Sequence, residues 1–227
     1  MYFYNDATFL LLIPAMLLAF FAQWKVKSTF DQYSKVACSR GYTGASVARY
    51  ILDDYRLQDI AVKATPGELT DHYDPRNRTL NLSDPVYNSN SVAAIGVAAH
   101  EAGHAIQDAK GYAPIRLRNG MVPVTNLGST LAFPLFLLGM FAGLPIFMDA
   151  GIVLFSLAVV FSVLTLPVEF NASRRAIRVL ADGHFLTEKE LPGAKAVLNA
   201  AALTYVASTA MAVLNLVRLL MLRNSRD

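Results

Sequence analysis

The chain has 227 residues, of which 54% are apolar and only 16% are charged. Average soluble domains carry about 25% charged residues, so this composition excludes a disordered chain and leaves an apolar excess that must be placed. The single cysteine excludes an intramolecular disulfide framework and a cysteine-based metal cluster. The net charge of +3 is too small to indicate a nucleic-acid partner.

The apolar excess is concentrated in four uncharged segments, residues 7–23, 127–148, 150–168 and 196–217. A membrane-spanning helix needs about 20 apolar residues, so the first three segments predict spans. The fourth contains several polar side chains and either spans or packs as a buried amphipathic helix. The first segment lacks the preceding positive charge of a signal peptide and therefore predicts a retained anchor.

Lys and Arg side chains are concentrated in residues 25–118 and 171–195, whereas the turn between the second and third apolar segments offers only Asp149. The positive-inside rule then places both polar stretches in the cytoplasm and makes the chain a multi-pass protein of the cell membrane. The fold class that follows is mainly α and integral to the membrane, with three or four transmembrane helices.

The first polar stretch has local patterns of both helix and strand. Thr43 and Ser91 are predicted N-caps, and Gly111 is predicted to close the second capped helix. The patterns predict helices 28–40, 43–57 and 92–110, and a small antiparallel sheet with a hairpin that includes strands 60–64 and 78–83.

The helix 92–110 contains His100, Glu101 and His104 in the pattern H-E-x-x-H. Residues four apart lie on one helix face, so both imidazoles can bind one zinc ion. The adjacent Glu101 can act as the general base that takes a proton from the zinc-activated water. A satisfied buried polar cluster is the alternative, but two of the chain's four histidines fall in this otherwise apolar helix.

A catalytic zinc ion needs a third protein ligand, and His72, His184 and the carboxylates are candidates. Glu169 is the strongest of these, because it ends the third apolar segment and is the only acidic residue between Asp149 and Asp182. A surface carboxylate paired with a neighbouring arginine is the alternative for Glu169.

The motif His100–His104, followed by residues 167–175, resembles the bacterial membrane-bound neutral zinc metallopeptidases of the YugP type. Residues 41–44, 70–75 and 198–205 extend the resemblance over nearly the whole chain. A more distant similarity to the gluzincins of the HtpX and CAAX prenyl protease kind implies that Glu169 is the zinc ligand. Ser173 stands where those relatives have an Asp that supports a ligand His, so the resemblance implies that Ser173 or Asn171 takes this outer role.

Weaker candidates concern the substrate. By analogy with zincins, the strand of Thr79, Leu80, Asn81 and Leu82 is expected to lie beside the zinc ion as an exposed edge that binds a peptide backbone. His72 and Tyr205 are candidate oxyanion donors. A turn hydrogen bond to Asp71 or Asp74 is an equal alternative for His72, and helix packing is the alternative for Tyr205.

These predictions describe a zinc metalloendopeptidase, gluzincin-like, with one Zn²⁺ per chain and a peptide or membrane-protein substrate. The active site is expected to face the cytoplasm. The alternatives are a site-2-type intramembrane metalloprotease and a non-catalytic membrane metal-binding or interaction protein. The predicted regions are an anchor (1–24), a zincin-like catalytic region (25–126), a transmembrane hairpin (127–170), a cytoplasmic helix and loop (171–195) and a C-terminal apolar helix (196–227).

Overall fold

The computed structural model describes residues 7–225, so the outer ends of the predicted anchor and of the predicted C-terminal helix lie outside the described residues. A short 3₁₀ segment, Ala7–Leu12, leads into the first α-helix. The elements that follow are α1 (Ile13–Tyr33), α2 (Gly44–Asp54), β1 (Ala61–Thr65), β2 (His72–Asp74), β3 (Thr79–Ser83), α3 (Asp84–Tyr87), α4 (Val92–Ala109), α5 (Ala113–Ala142), α6 (Pro145–Asp182) and α7 (Leu191–Asn224).

The helices α1, α5, α6 and α7 are each long and apolar enough to cross a membrane. This confirms the mainly α membrane fold and includes the fourth apolar segment, which lies inside α7. The separate amphipathic helix predicted at 28–40 is wrong. Because neither glycine nor proline interrupts the sequence after the first apolar segment, α1 continues unbroken to Tyr33.

The described residues divide into two compact units. The apolar unit comprises residues up to Gln23, Arg116–Pro167 and residues from Thr204 onward. The polar unit comprises Trp24–Ile115 and Val168–Leu203.

In the apolar unit, α5 and α6 are joined at Gly143, which adopts a φ of +68°, and not at Asp149 as predicted. Asp149 lies within α6 and accepts a 2.8 Å hydrogen bond from Nε of Arg223. The two helices approach closely where Gly151 leaves no room for a side chain: a Cβ there would lie 2.6 Å from the Ala132 carbonyl oxygen. Phe136, Met140, Met148, Ile152 and Leu219 form the buried cluster of this unit.

In the polar unit, Thr43 caps α2 as predicted, with a reciprocal hydrogen-bond pair to Ser46. The largest apolar cluster of the protein surrounds α4, whose alanine-rich N-terminal half is buried. Small side chains let neighbouring elements approach the helix axis closely. This packing holds α4 at the centre of the unit.

The sheet of the polar unit has the order β1–β3–β2. The hairpin β2–β3 is antiparallel as predicted, but β1 pairs with β3 in parallel, so the sheet is mixed. The prediction that Thr79, Leu80, Asn81 and Leu82 present a free edge is therefore wrong. These residues lie on the central strand, where β1 and β2 take up the main-chain hydrogen bonds on both sides. The outer edge on the β2 side belongs to His72–Asp74.

Candidate metal centre

Helix α4 places the two histidines and the glutamate of the motif. Ser91 caps its first turn, with the hydroxyl accepting a 3.2 Å hydrogen bond from the Ala94 N–H, and Gly111 follows its end with a φ of +66°. The helical spacing brings the rings of His100 and His104 to a centroid distance of 4.7 Å, nearly perpendicular to each other. Both rings therefore face the same side of α4.

Helix α6 supplies the third side chain, Glu169, because its backbone packs directly on the motif. Gly103 makes this possible: a Cβ at that position would lie 2.9 Å from the Ala172 carbonyl oxygen. Any larger residue at Gly103 would hold α6, and with it Glu169, away from the histidines.

The ligand atoms of His100, His104 and Glu169 all lie within 4.8 Å of one another and could hold a metal ion. Oε2 of Glu169 is 3.2 Å from Nε2 of His100 and 3.5 Å from Nε2 of His104. A tetrahedral zinc ion with ligands at about 2.0–2.1 Å separates neighbouring ligand atoms by about 3.3–3.4 Å. Both distances from the carboxylate to the imidazoles fit such an ion, and two imidazoles with one carboxylate form a donor set typical of catalytic zinc.

The three side chains are shielded from solvent, with 12%, 10% and 2% of the side chains of His100, His104 and Glu169 exposed. Burial lowers the pKa of His104, but the hydrogen bond to Glu169 and the charges of Glu101 and Glu169 outweigh it. The pKa of His104 is therefore above its ordinary value, because the carboxylates stabilise positive charge at this point. A bound cation would meet the same attraction.

Glu101 is buried but does not belong to the group of ligand atoms. Its Oε2 accepts a 3.1 Å hydrogen bond from the main-chain N–H of Tyr73, on the outer edge of β2. The Tyr73 hydroxyl donates a 3.0 Å hydrogen bond to Asp108, two turns further along α4. Tyr73 thus fixes β2 along the motif helix.

The Nδ1 atoms of both histidines have partners of their own. Nδ1 of His100 lies 3.2 Å from the Ser173 hydroxyl, and Nδ1 of His104 lies 3.0 Å from Oε1 of Gln107. Asn171 contacts the amide of Gln107 rather than a histidine. Sequence reasoning missed Gln107, although its position three residues after His104 puts it on the same helix face.

The remaining candidates lie elsewhere or stay predictions. His72 is exposed on β2, where its Nδ1 is 2.7 Å from the Thr70 carbonyl oxygen and its Nε2 is 3.2 Å from Nδ2 of Asn81. Within the described residues, the ring of His72 forms no hydrogen bond with Asp71 or Asp74. His184 is exposed at a helix end with a φ of +52°, as expected. Tyr205 lies in α7 in the apolar unit, and its role as an oxyanion donor stays a prediction.

A buried His–His–Glu group on an H-E-x-x-H helix, in a chain with four helices suited to a membrane, is the arrangement expected of a membrane zinc metallopeptidase. Residues 8–224 match the model of a family described as "Putative neutral zinc metallopeptidase", and the chain belongs to that family. It is also 49% identical over 218 residues, 96% of this chain and 97% of the relative, to the "Putative membrane protease YugP" of Bacillus subtilis (strain 168). No solved structure matches the chain significantly.

Proposed function

We propose that this protein is a gluzincin-like zinc metalloendopeptidase of the cell membrane, with His100, His104 and Glu169 as the ligands of one zinc ion. The observation that carries the proposal is the convergence of two Nε2 atoms and one carboxylate oxygen at the spacing of a tetrahedral ion. When bound, the zinc ion lowers the pKa of a water molecule and polarises a carbonyl group.

Glu101 is the proposed general base. One of its carboxylate oxygens is occupied by the Tyr73 N–H, which leaves Oε1 to accept a proton from the attacking water. As the carbon–nitrogen bond of the peptide breaks, Glu101 returns this proton to the leaving nitrogen, so that water is consumed and the carboxylate is regenerated. Burial keeps competing bulk water away from the carboxylate.

The substrate is proposed to be a peptide, or a segment of a membrane protein, that adds to the outer edge of β2. Tyr73 pairs with Leu80 on β3, and its N–H points away from β3 toward Glu101. A peptide extended along this edge would pass the general base. Because Glu101 accepts the Tyr73 N–H in this structure, such a peptide would have to displace Glu101 from it in order to pair there with the main chain.

The active site is proposed to face the cytoplasm near the membrane surface. Glu169 ends an apolar segment that contains no Lys or Arg, and the residues that follow are rich in arginine. This charge pattern supports a cytoplasmic position for the end of the segment.

The test is the Glu101→Gln variant of the full chain, purified in detergent and assayed for zinc content and for cleavage of a casein or peptide-library substrate. We expect bound zinc to be retained and hydrolysis to fall by about 10²–10⁴-fold, because only the proton carrier is lost. The matched control is Glu188→Gln, which changes an exposed glutamate in the loop before α7. Unchanged turnover in Glu101→Gln would contradict the mechanism. A parent protein that binds zinc but cleaves no substrate would favour a non-catalytic metal-binding protein.

A further inference from the structure

Gln107 is a fully buried amide with a hydrogen-bonding partner at each end. Its Nε2 donates to the Val168 carbonyl oxygen at 2.8 Å and to Oδ1 of Asn171 at 3.0 Å. Its Oε1 lies 3.0 Å from Nδ1 of His104. Since an amide has donors at one end and an acceptor at the other, its partners decide which way it points.

Two acceptors fix the direction of the Gln107 amide. The Val168 carbonyl can only accept a hydrogen bond. Arg175 determines which end of the Asn171 amide is the oxygen. Its Nε donates a 2.7 Å hydrogen bond to that atom, and a guanidinium group has donors only, so the atom must be Oδ1. A reversed Asn171 would place its NH₂ group against Arg175. The nitrogen of Gln107 therefore faces Val168 and Asn171, and its oxygen faces His104.

An amide oxygen cannot donate, so Nδ1 of a neutral His104 must carry the hydrogen in this contact. In this neutral form Nε2 keeps the lone pair, on the side where Glu169 lies, whereas in the protonated form the Nε2–H donates to Glu169. At its Nδ1, His100 is under no such constraint, because the Ser173 hydroxyl there can either donate or accept, and Glu169 faces its Nε2 at 3.2 Å. The two histidines are thus held by chemically different partners.

We propose that Gln107 is a positioning residue that holds His104 as the Nδ1–H tautomer, and that Arg175 locks the Gln107 amide through Asn171. The inference rests on the proposed function in that it takes His104 as a zinc ligand. A histidine presented with its Nε2 lone pair free needs no rearrangement before a metal ion binds.

The experiment reads the tautomer directly. The chain has four histidines, so ¹⁵N-histidine labelling gives a simple spectrum that single His→Gln variants can assign. In metal-free protein, at a pH above the raised pKa of His104, we expect the neutral ring of His104 to carry its hydrogen on Nδ1. Gln107→Met, similar in size but without donor or acceptor, should give a mixture of tautomers. Gln107→Glu, with its carboxyl group protonated where it faces the Val168 carbonyl and Asn171 Oδ1, keeps an acceptor at Nδ1 and should restore the parent tautomer.

Zinc affinity, measured by competition with a chelator, gives the second readout. We expect Gln107→Met to weaken zinc binding by about 10–100-fold, the usual effect of removing an outer partner of a ligand histidine. Asn171→Leu should cause a smaller loss, because Val168 still orients the amide, and Asn171→Asp should restore the parent value. Arg174→Leu is the matched control, because within residues 7–225 the hydrogen bond of Arg174 goes to the Phe170 carbonyl oxygen of its own helix.

The proposal is overturned if His104 keeps the Nδ1–H form in Gln107→Met, or if Gln107→Glu gives the same mixture as Gln107→Met. If Gln107→Met does not fold, the zinc affinities of Asn171→Leu and Asn171→Asp carry the comparison, and equal affinities in that pair overturn the role of Asn171. A parent protein that binds no zinc would contradict the proposed function, while the tautomer in the metal-free protein would still decide the role of Gln107.

Discussion

The main-chain N–H of Tyr73 donates a 3.1 Å hydrogen bond to Oε2 of Glu101, which joins the outer edge of β2 to the motif helix. The Tyr73 side chain reinforces this joint through its 3.0 Å hydrogen bond to Asp108. Burial, followed by the charge of Asp108, raises the pKa of Tyr73 above its ordinary value. The hydroxyl therefore remains protonated and donates throughout the neutral pH range.

Tyr73→Phe tests whether this side chain holds the edge strand in place. We expect the free energy of unfolding to fall by about 1–2 kcal/mol, because Asp108 loses a hydrogen bond while partly buried. We also expect KM for peptide substrates to rise more than kcat falls, since β2 loosens while Glu101 remains. Tyr50→Phe, at an exposed tyrosine of the same unit, is the control. Identical unfolding and kinetics in the two variants would contradict the prediction.

Gly103→Ala tests the close approach of α4 and α6. The added Cβ would lie 2.9 Å from the Ala172 carbonyl oxygen, so α6 must shift and carry Glu169 away from the histidines. We expect weaker zinc binding in chelator competition, together with a loss of about 1–3 kcal/mol in stability from overpacking. Gly120→Ala is the control, because a Cβ at Gly120 meets no atom within 4 Å. Parent-like zinc affinity in Gly103→Ala would refute the link between this glycine and Glu169.

The sequence predicted the local half of the site and missed the part that depends on distant packing. His100, Glu101 and His104 are given by helical periodicity, and Glu169 is distinguished by its charge at the end of an apolar segment. Helical spacing puts Gln107 on the face of His104, but nothing local shows that it is buried, because its burial depends on Val168 and Asn171, more than 60 residues away.

The errors in the fold have the same origin. Alternation predicts that residues 78–83 form a strand, but only the parallel pairing with β1 makes it the central one. The turn between α5 and α6 did leave a local signal, since a glycine after one helix and a proline at the start of the next mark Gly143 and Pro145. The turn was wrongly predicted at Asp149 because this residue is charged. In the structure Asp149 lies within α6, where its carboxylate pairs with Arg223.

Glu190 provides a pH-dependent test of stability outside the metal site. It accepts hydrogen bonds from the main-chain N–H groups of Ser39 and Thr187 and from the Thr187 hydroxyl, at 2.7–2.9 Å. Burial raises the pKa of Glu190, but these hydrogen bonds outweigh it and the net pKa is lowered. A lowered folded-state pKa contributes stability above the unfolded pKa of about 4.3, and this contribution is lost as the pH falls through the folded value.

We therefore expect Glu190→Gln to lower the thermal unfolding temperature at neutral pH, and the difference from the parent to shrink as the pH falls below about 4.3. Glu188→Gln, at an exposed position of the same loop, should show no such dependence. A difference that stays constant or grows in acid would show that the hydrogen bonds to the Glu190 carboxylate do not stabilise the loop.

The membrane topology can be tested from the site itself. His100 and Glu169 lie 3.2 Å apart, so we expect the chain between them to cross the membrane an even number of times. We expect α5 and α6 to supply two crossings, which predicts that the turn at Gly143 and Leu144 is on the other face of the membrane from His100 and Glu169. Charge asymmetry separately predicts that the site faces the cytoplasm.

On a Cys38→Ser background, a cysteine replacing the exposed Leu144 should react with an impermeant reagent added to intact cells, and one replacing the exposed Arg76 should not. Both should react after the membrane is dissolved in detergent, which controls for burial. The reverse pattern would move the site to the outer face, and labelling of both positions in intact cells would contradict the two crossings.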